Sequence, residues 1–186
     1  SPGNRYYLHN GVVSAPTEAT LMMADGLGHG LLAEEASQAA VRALAHKPHQ
    51  SPSMILDDAH AMLRSTRGAA VAVAQIDMHA EQLRYAGVGN IACHVFNGAE
   101  RKQMVSHNGI VGSNMRKVQE FTIPWNPGAM LVLHSDGLGS RWDIDQYPRL
   151  ITHHPSVIAA VLYRDFSRGR DDINVLVALD LQHLPQ

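Results

Sequence analysis

Two hydrophobic periods alternate along the chain. An apolar run from Ala19 to Ala24 ends at Asp25, and Gly26, Gly28 and Gly30 follow within five residues. A short apolar run closed by glycines predicts a buried strand that stops at a tight turn. Leu31, Leu32, Ala36, Ala39, Ala40, Ala43 and Leu44 then recur at helical spacing, with Glu34, Glu35, Gln38 and Arg42 on the opposite face. This predicts a helix of about four turns. Ser51-Pro52 opens a second helix, because proline is tolerated in the first turn. Its buried face is Ile55, Leu56, Ala59, Met62 and Leu63, and Gly68 breaks it. Strands are expected over 69–77, 82–88, 91–97, 101–105, 117–123 and 129–135, with Asn97-Gly98 as a hairpin turn. Trp142 to Leu150 reads as a short helix. Pro155 opens another, with Val157, Ile158, Val161, Leu162 and Phe166 on one face. Ile173 to Leu181 is almost unbroken apolar, as expected of a strand buried on both faces. Helices and strands do not alternate strictly, so the pattern favours an α+β fold over a doubly wound sheet.

Composition narrows the classes. The 186 residues suit one domain, here 1–186, with a full hydrophobic core. A hydrophobic fraction of 45% and a charged fraction of 17% fit a soluble globular protein. A net charge of −2 offers no basic surplus for a nucleic-acid backbone. Cys93 is the only cysteine, so no internal disulfide forms, and a reducing, cytoplasmic setting is expected. No stretch reaches the length of a membrane span. The first residue is Ser1, not Met, which suggests a piece excised from a longer protein.

Candidate chemistry lies in aspartates beside apolar strands. Asp25 follows Leu21-Met22-Met23-Ala24. Asp136 follows Met130 to Ser135. Asp171 and Asp172 precede Ile173 to Val177. A carboxylate at a strand end is rigidly held yet open to solvent, and several that converge need a cation to offset their repulsion. Hard oxygen donors select Mg²⁺, Mn²⁺ or Ca²⁺ over zinc. A single Asp-Gly pair is most often only a turn. The combination of Asp25-Gly26-Leu27-Gly28-His29-Gly30, Ser135-Asp136-Gly137 and Gly169-Arg170-Asp171-Asp172 is more specific.

That trio, in that order, resembles the metal-dependent phosphatases of the 2C type, and is closest to their bacterial SpoIIE/RsbX-like branch. Three middle segments agree. Thr66-Arg67-Gly68-Ala69 looks like the branch's helix-to-strand junction, Tyr85 to Asn90 its hairpin motif, and Ser106 to Gly112 its loop before the final strands. The resemblance covers the chain from about residue 19 onward. It implies an αββα sandwich, two antiparallel sheets flanked by helix pairs. It also implies two Mn²⁺ or Mg²⁺ ions, with Asp25 bridging them, the Gly26 carbonyl assisting, and Asp136 and Asp171 completing one shell. Asp172 then serves as an outer-shell acceptor. A water activated by such ions can attack phosphorus without a covalent phosphoenzyme.

The implied activity is hydrolysis of a phosphoserine or phosphothreonine on a signalling protein, such as a phosphorylated STAS-type antagonist or stressosome component. Relatives often follow a kinase-like ATP-binding domain, which is the upstream partner expected. Many relatives carry Gly-Asp on the first strand where this chain has Gly3-Asn4. An amide weakens the second metal site unless Glu18 or another acid supplies the charge. The alternative from another class is a catalytically weak or dead binding module in a partner-switching pathway.

Other candidates read more plainly. The glycine turn lacks dinucleotide spacing, because Leu31 stands where a third glycine belongs. No Lys-Ser/Thr pair makes it a P-loop. His29 sits in the metal loop, where it either touches a ligand or caps the turn. His153-His154 marks a helix start rather than a zinc site. Arg67 and Arg141 are either phosphoprotein contacts or solvated surface residues.

Overall fold

The computed structural model describes residues 6–7, 10–15, 17–139, 141–168 and 173–180. In chain order these form β1 (Tyr6–Tyr7), β2 (Asn10–Ala15), β3 (Glu18–Gly26), α1 (Leu31–His46), α2 (Pro52–Leu63), β4 (Ala69–Asp77), β5 (Gln82–Val88), β6 (Ala92–Asn97), β7 (Glu100–Met104), β8 (Phe121–Pro124), β9 (Met130–His134), α3 (Pro155–Phe166) and β10 (Val175–Leu179). The strands make two antiparallel sheets, ordered β1-β2-β3-β4-β5-β8 and β10-β9-β6-β7. The α+β class expected from the sequence is the one observed. The chain divides into two compact units, Ser1–Ile91 with Val105–Trp125, and Ala92–Met104 with Asn126–Gln186.

The first unit is built on β3 and β4, paired from Glu18↔Asp77 to Gly26↔Ala69. The helices α1 and α2 cover one face of this sheet, packing on Met22, Ala24, Val71 and Val73. The α1 face that meets the sheet is mostly alanine (Ala36, Ala39, Ala40, Ala43), which lets helix and sheet approach closely. Leu44, Ile55, Leu56 and Leu63 are fully buried, each contributing about 1.5–3 kcal/mol. Ser51 and Pro52 start α2 as the sequence indicates. Two residues depart from their expected faces. Met62 is 41% exposed rather than in the core, and Leu31 and Leu32 project into solvent from the first turn of α1.

The second unit holds α3 against Met130 and Val132 of β9 and the half-buried Val175, Val177 and Leu179. Of β10, only Leu176 is buried, since the strand lies at a sheet edge. The sequence expectation of burial on both faces fails: β10 lies at the sheet edge, and among the described residues β9 is its one strand neighbour. The turn Asn97-Gly98 joins β6 to β7 as expected, with Gly98 at φ 62°. Between Trp142 and Leu150 a short helix does not form. Two 3₁₀ turns, Ile144–Gln146 and Leu150–Thr152, take its place, and Arg149 adopts a left-handed conformation at φ 70°. Tyr85 to Asn90 is not a hairpin. It is the end of β5 and the passage by which the chain leaves the first sheet for β6 of the second.

Candidate metal centre

Asp25 is the penultimate residue of β3, half-buried and in register with Ala70 of β4. The turn after it is fixed from two sides. The Gly26 N–H donates to the Ser37 hydroxyl at 2.9 Å, and that hydroxyl donates to the Ala33 carbonyl at 3.2 Å. The first turn of α1 therefore rests directly on Gly26. A β-carbon there would lie 1.9 Å from the Ala33 oxygen, so only glycine fits. From the other side, the Leu27 N–H donates to the Gly68 carbonyl at 3.0 Å. Gly68 is itself held by Thr66, whose hydroxyl accepts from the Gly68 N–H and donates to the Leu63 carbonyl. The Thr66-Arg67-Gly68 junction is thus a strap over the loop that begins at Asp25. His29 is exposed in that loop.

Asp136 follows β9 on an exposed turn in the second unit. Before it, buried Ser135 exchanges hydrogen bonds with Asn174. The Ser135 N–H donates to the Asn174 carbonyl, and the Ser135 hydroxyl accepts from the Asn174 N–H, both at 3.0 Å. After it, the Gly139 N–H donates to Phe166 at 2.8 Å, and the Arg168 N–H donates to Gly137 at 3.1 Å. The chain on each side of Gly169–Asp172 is therefore anchored to the Asp136 turn. Asp171 and Asp172, with Gly3 and Asn4, lie outside the described residues. Among the described residues, no three His, Cys, Asp or Glu side chains gather as a metal-binding group.

Beneath Asp136, His134 donates from Nδ1 to the Ser135 carbonyl at 2.9 Å and accepts at Nε2 from the Trp142 indole N–H at 3.2 Å. His94 stacks on it, with ring centroids 5.4 Å apart. Burial, aided by the neighbouring His134, pushes the His94 pKa down to about 4, and burial also lowers that of His134. A cavity of about 200 Å³ opens beside this cluster, lined by His94, Phe96, Arg101 and Trp142 among others.

Each turn offers hard oxygen donors of the kind a divalent cation takes: the Asp25 carboxylate and Gly26 carbonyl in the first unit, and the Asp136 carboxylate in the second. Glu18 cannot supply a missing charge beside Asp25. It stands at the opposite end of β3, seven residues away, or about 23 Å along a strand. Cys93 is fully buried in β6, and burial pushes its thiol pKa far up, so it is not a nucleophile. His154 caps α3, its Nδ1 accepting from the Ser156 N–H at 3.2 Å, which accounts for the His153-His154 pair without zinc. Ser37 and the Gly68 strap escaped the sequence reading. A serine within a helical pattern carries no local sign that it caps an amide eleven residues earlier.

Known proteins share this architecture. A chain from a structure of the bacterial stressosome, a modular system adapted to control secondary messenger signaling, superposes with a TM-score of 0.83. It is 23% identical, over 89% of this chain and 87% of that one. RsbX in complex with magnesium superposes with a TM-score of 0.79 at 22% identity, over 96% of this chain and 90% of that one. A chain holding the 2C-type phosphatase domain and a fragment of the regulatory domain of SpoIIE from Bacillus subtilis gives 0.70 at 17% identity, over 90% of this chain and 56% of that one. In sequence, the phosphoserine phosphatase RsbX of Bacillus subtilis (strain 168) is 25% identical over 122 residues, or 65% of this chain. The match spans 61% of that curated relative's length. Residues 16–179 match the family of Stage II sporulation protein E (SpoIIE), and the chain belongs to that family.

Proposed function

We propose that this chain is a metal-dependent serine/threonine protein phosphatase, one domain over 1–186, acting in the cytoplasm. Its substrate is a phosphorylated signalling protein of the STAS or stressosome kind, and an ATP-binding kinase-like domain is the upstream partner. The observation that carries the reading is the Asp25 turn. A half-buried carboxylate ends a fully paired strand, and the glycine after it is wedged under a helix within Asp-Gly-x-Gly-His-Gly. Likeness to RsbX, a phosphoserine phosphatase whose solved structure holds magnesium, supports it.

In this reading Asp25, the Gly26 carbonyl, Asp136 and Asp171 hold Mn²⁺ or Mg²⁺, two ions with the second the weaker. Bound there, such ions supply Lewis acidity toward phosphoryl oxygens and lower the pKa of an attacking water. The chain's own contribution is rigidity. The Asp25 and Asp136 turns are each held by backbone hydrogen bonds, so little reorganisation accompanies the build-up of charge on the leaving oxygen. With Cys93 inaccessible, no cysteinyl phosphate forms.

The test is hydrolysis of para-nitrophenyl phosphate and of a phosphothreonine peptide with Mn²⁺, with Mg²⁺ and with chelator, alongside Asp136→Asn. Turnover that needs metal and falls at least a hundredfold in the variant is expected. A folded protein inert with every metal would return the chain to the binding-module reading.

A further inference from the structure

Leu31 and Leu32 fit the helical pattern of a buried face, yet they are 83% and 49% exposed, and Leu27 beside them is 37% exposed. All three belong to the loop and first helical turn that follow Asp25. Adjacent leucines held in water at a structured turn are unfavourable unless something covers them. Arg67 stands on the strap that crosses that loop. The Gly68 strap brings its side chain over Gly28, where Nη1 lies 2.8 Å from the place a β-carbon would take. Gly28 has φ +85°, so glycine is required there for the backbone as well as for the arginine. Among the described residues Arg67 has no carboxylate or hydrogen-bond partner, in contrast to Arg101 and Arg164, which are paired with Asp143 and Asp165.

A guanidinium without a partner, set beside a half-buried carboxylate turn, is complementary to a phosphoryl dianion, which its planar fork can grip with two parallel hydrogen bonds. The exposed leucines of the loop that it reaches, and of the helical turn after it, suit the apolar surface of a folded protein, not a small phosphoester. Arginine is also enriched at protein interfaces, whose cores are their more apolar part.

We infer that Arg67 and Leu27, Leu31 and Leu32 form one landing surface for a folded phosphoserine protein. Arg67 takes phosphoryl oxygens, and the leucines cover the apolar surface next to the phosphoserine. This rests on the phosphatase reading and names how its substrate is chosen. Chain entropy explains why the parts are fixed beforehand: the strap, the helix turn and Gly26 already hold the loop, so little ordering is left for binding.

The experiment uses the whole chain with Mn²⁺ and two substrates, para-nitrophenyl phosphate and a serine-phosphorylated STAS-domain protein, with inorganic phosphate as inhibitor. Arg67→Ala is expected to weaken phosphate inhibition and raise KM for both substrates about tenfold, with Arg67→Lys recovering part of the loss. Leu31→Ser combined with Leu32→Ser is expected to cut kcat/KM for the phosphoprotein at least tenfold more than for para-nitrophenyl phosphate. Tyr163→Ser, on α3 and about as exposed as Leu32, serves as the control. Calorimetry of the phosphoprotein with chelator present should show the same loss of affinity in the leucine variant. Phosphate inhibition unchanged in Arg67→Ala, or equal losses on both substrates in the leucine variant, would overturn the inference. Absence of turnover in the parent chain would instead count against the phosphatase reading, and the calorimetric arm would still decide the landing surface.

Discussion

Asp25 and Asp136 both follow apolar strands and both precede glycine, yet their turns are held by different means. The Asp25 turn is wedged. A helix sits on Gly26, a buried serine satisfies its amide, and a strap from the end of α2 closes the loop. The Asp136 turn is exposed and is held by backbone bonds to Phe166, Arg168 and Asn174, residues of chain that flank Gly169–Asp172. Identical short motifs therefore set only the chemistry available. The stiffness of each mount comes from packing that the motif does not encode.

The comparison breaks most sharply at the glycines. Gly26→Ala places a methyl group into the Ala33 carbonyl, against backbone that cannot move without displacing α1. We expect a loss of about 3 kcal/mol or more, or roughly 6–12 °C in Tm for a chain of this size. At Gly139 the nearest atom to a new β-carbon is the Phe166 oxygen at 3.3 Å, so Gly139→Ala should cost under about 1 kcal/mol. Thermal unfolding of the two variants measures the contrast, and equal losses would mean the two turns are equally tight.

Acidification separates the units next. The folded pKa of His94 is down at about 4, below its ordinary value of 6.5. Between those two values the unfolded chain binds the extra proton and the folded chain does not, so stability falls as pH falls from 6.5 toward 4. His134 shifts in the same direction, because burial disfavours its charged form. In chelator, hydrogen exchange at pH 5 should quicken in β6 and β9 before β3 and β4, and His94→Phe should flatten the dependence. Faster exchange first in β3 would contradict this.

The smallest contrast is between two serines. Ser37→Ala leaves the Gly26 amide buried without an acceptor, at a cost of about 1–2 kcal/mol. Ser135→Ala removes a bond to a partly exposed Asn174 amide that water can replace, and should cost roughly half as much. Urea unfolding resolves both.

Much of this was legible in the sequence for physical reasons. The strands over 69–77 and 82–88 lie where the apolar residues put them, and α2 and α3 start at Pro52 and Pro155, where proline is tolerated in the first turn. Legibility failed where partners are distant in the chain. The strand Asn10–Ala15 went unread because a short mixed run shows weak periodicity, and it is β3 that orders it. Leu31 and Leu32 have the right spacing for a core, but the helix emerges from the glycine loop before the sheet can cover its first turn. Arg67 reaches Gly28 only because a threonine and a glycine shape the strap between them. The Asp-Gly motifs marked where acids stand but said nothing of Ser37 or of the anchoring around Asp136.

The single cysteine offers one more consequence. Its sulfur lies fully inside β6, with ionisation suppressed by burial. Thiol-directed oxidants and alkylating reagents should leave Cys93 of the folded protein untouched, so this thiol needs no reductant to stay intact. Any labelling that does occur records an opening, local or global, that exposes the second unit. The rate of thiol capture is then a built-in clock for how often that half of the molecule breathes.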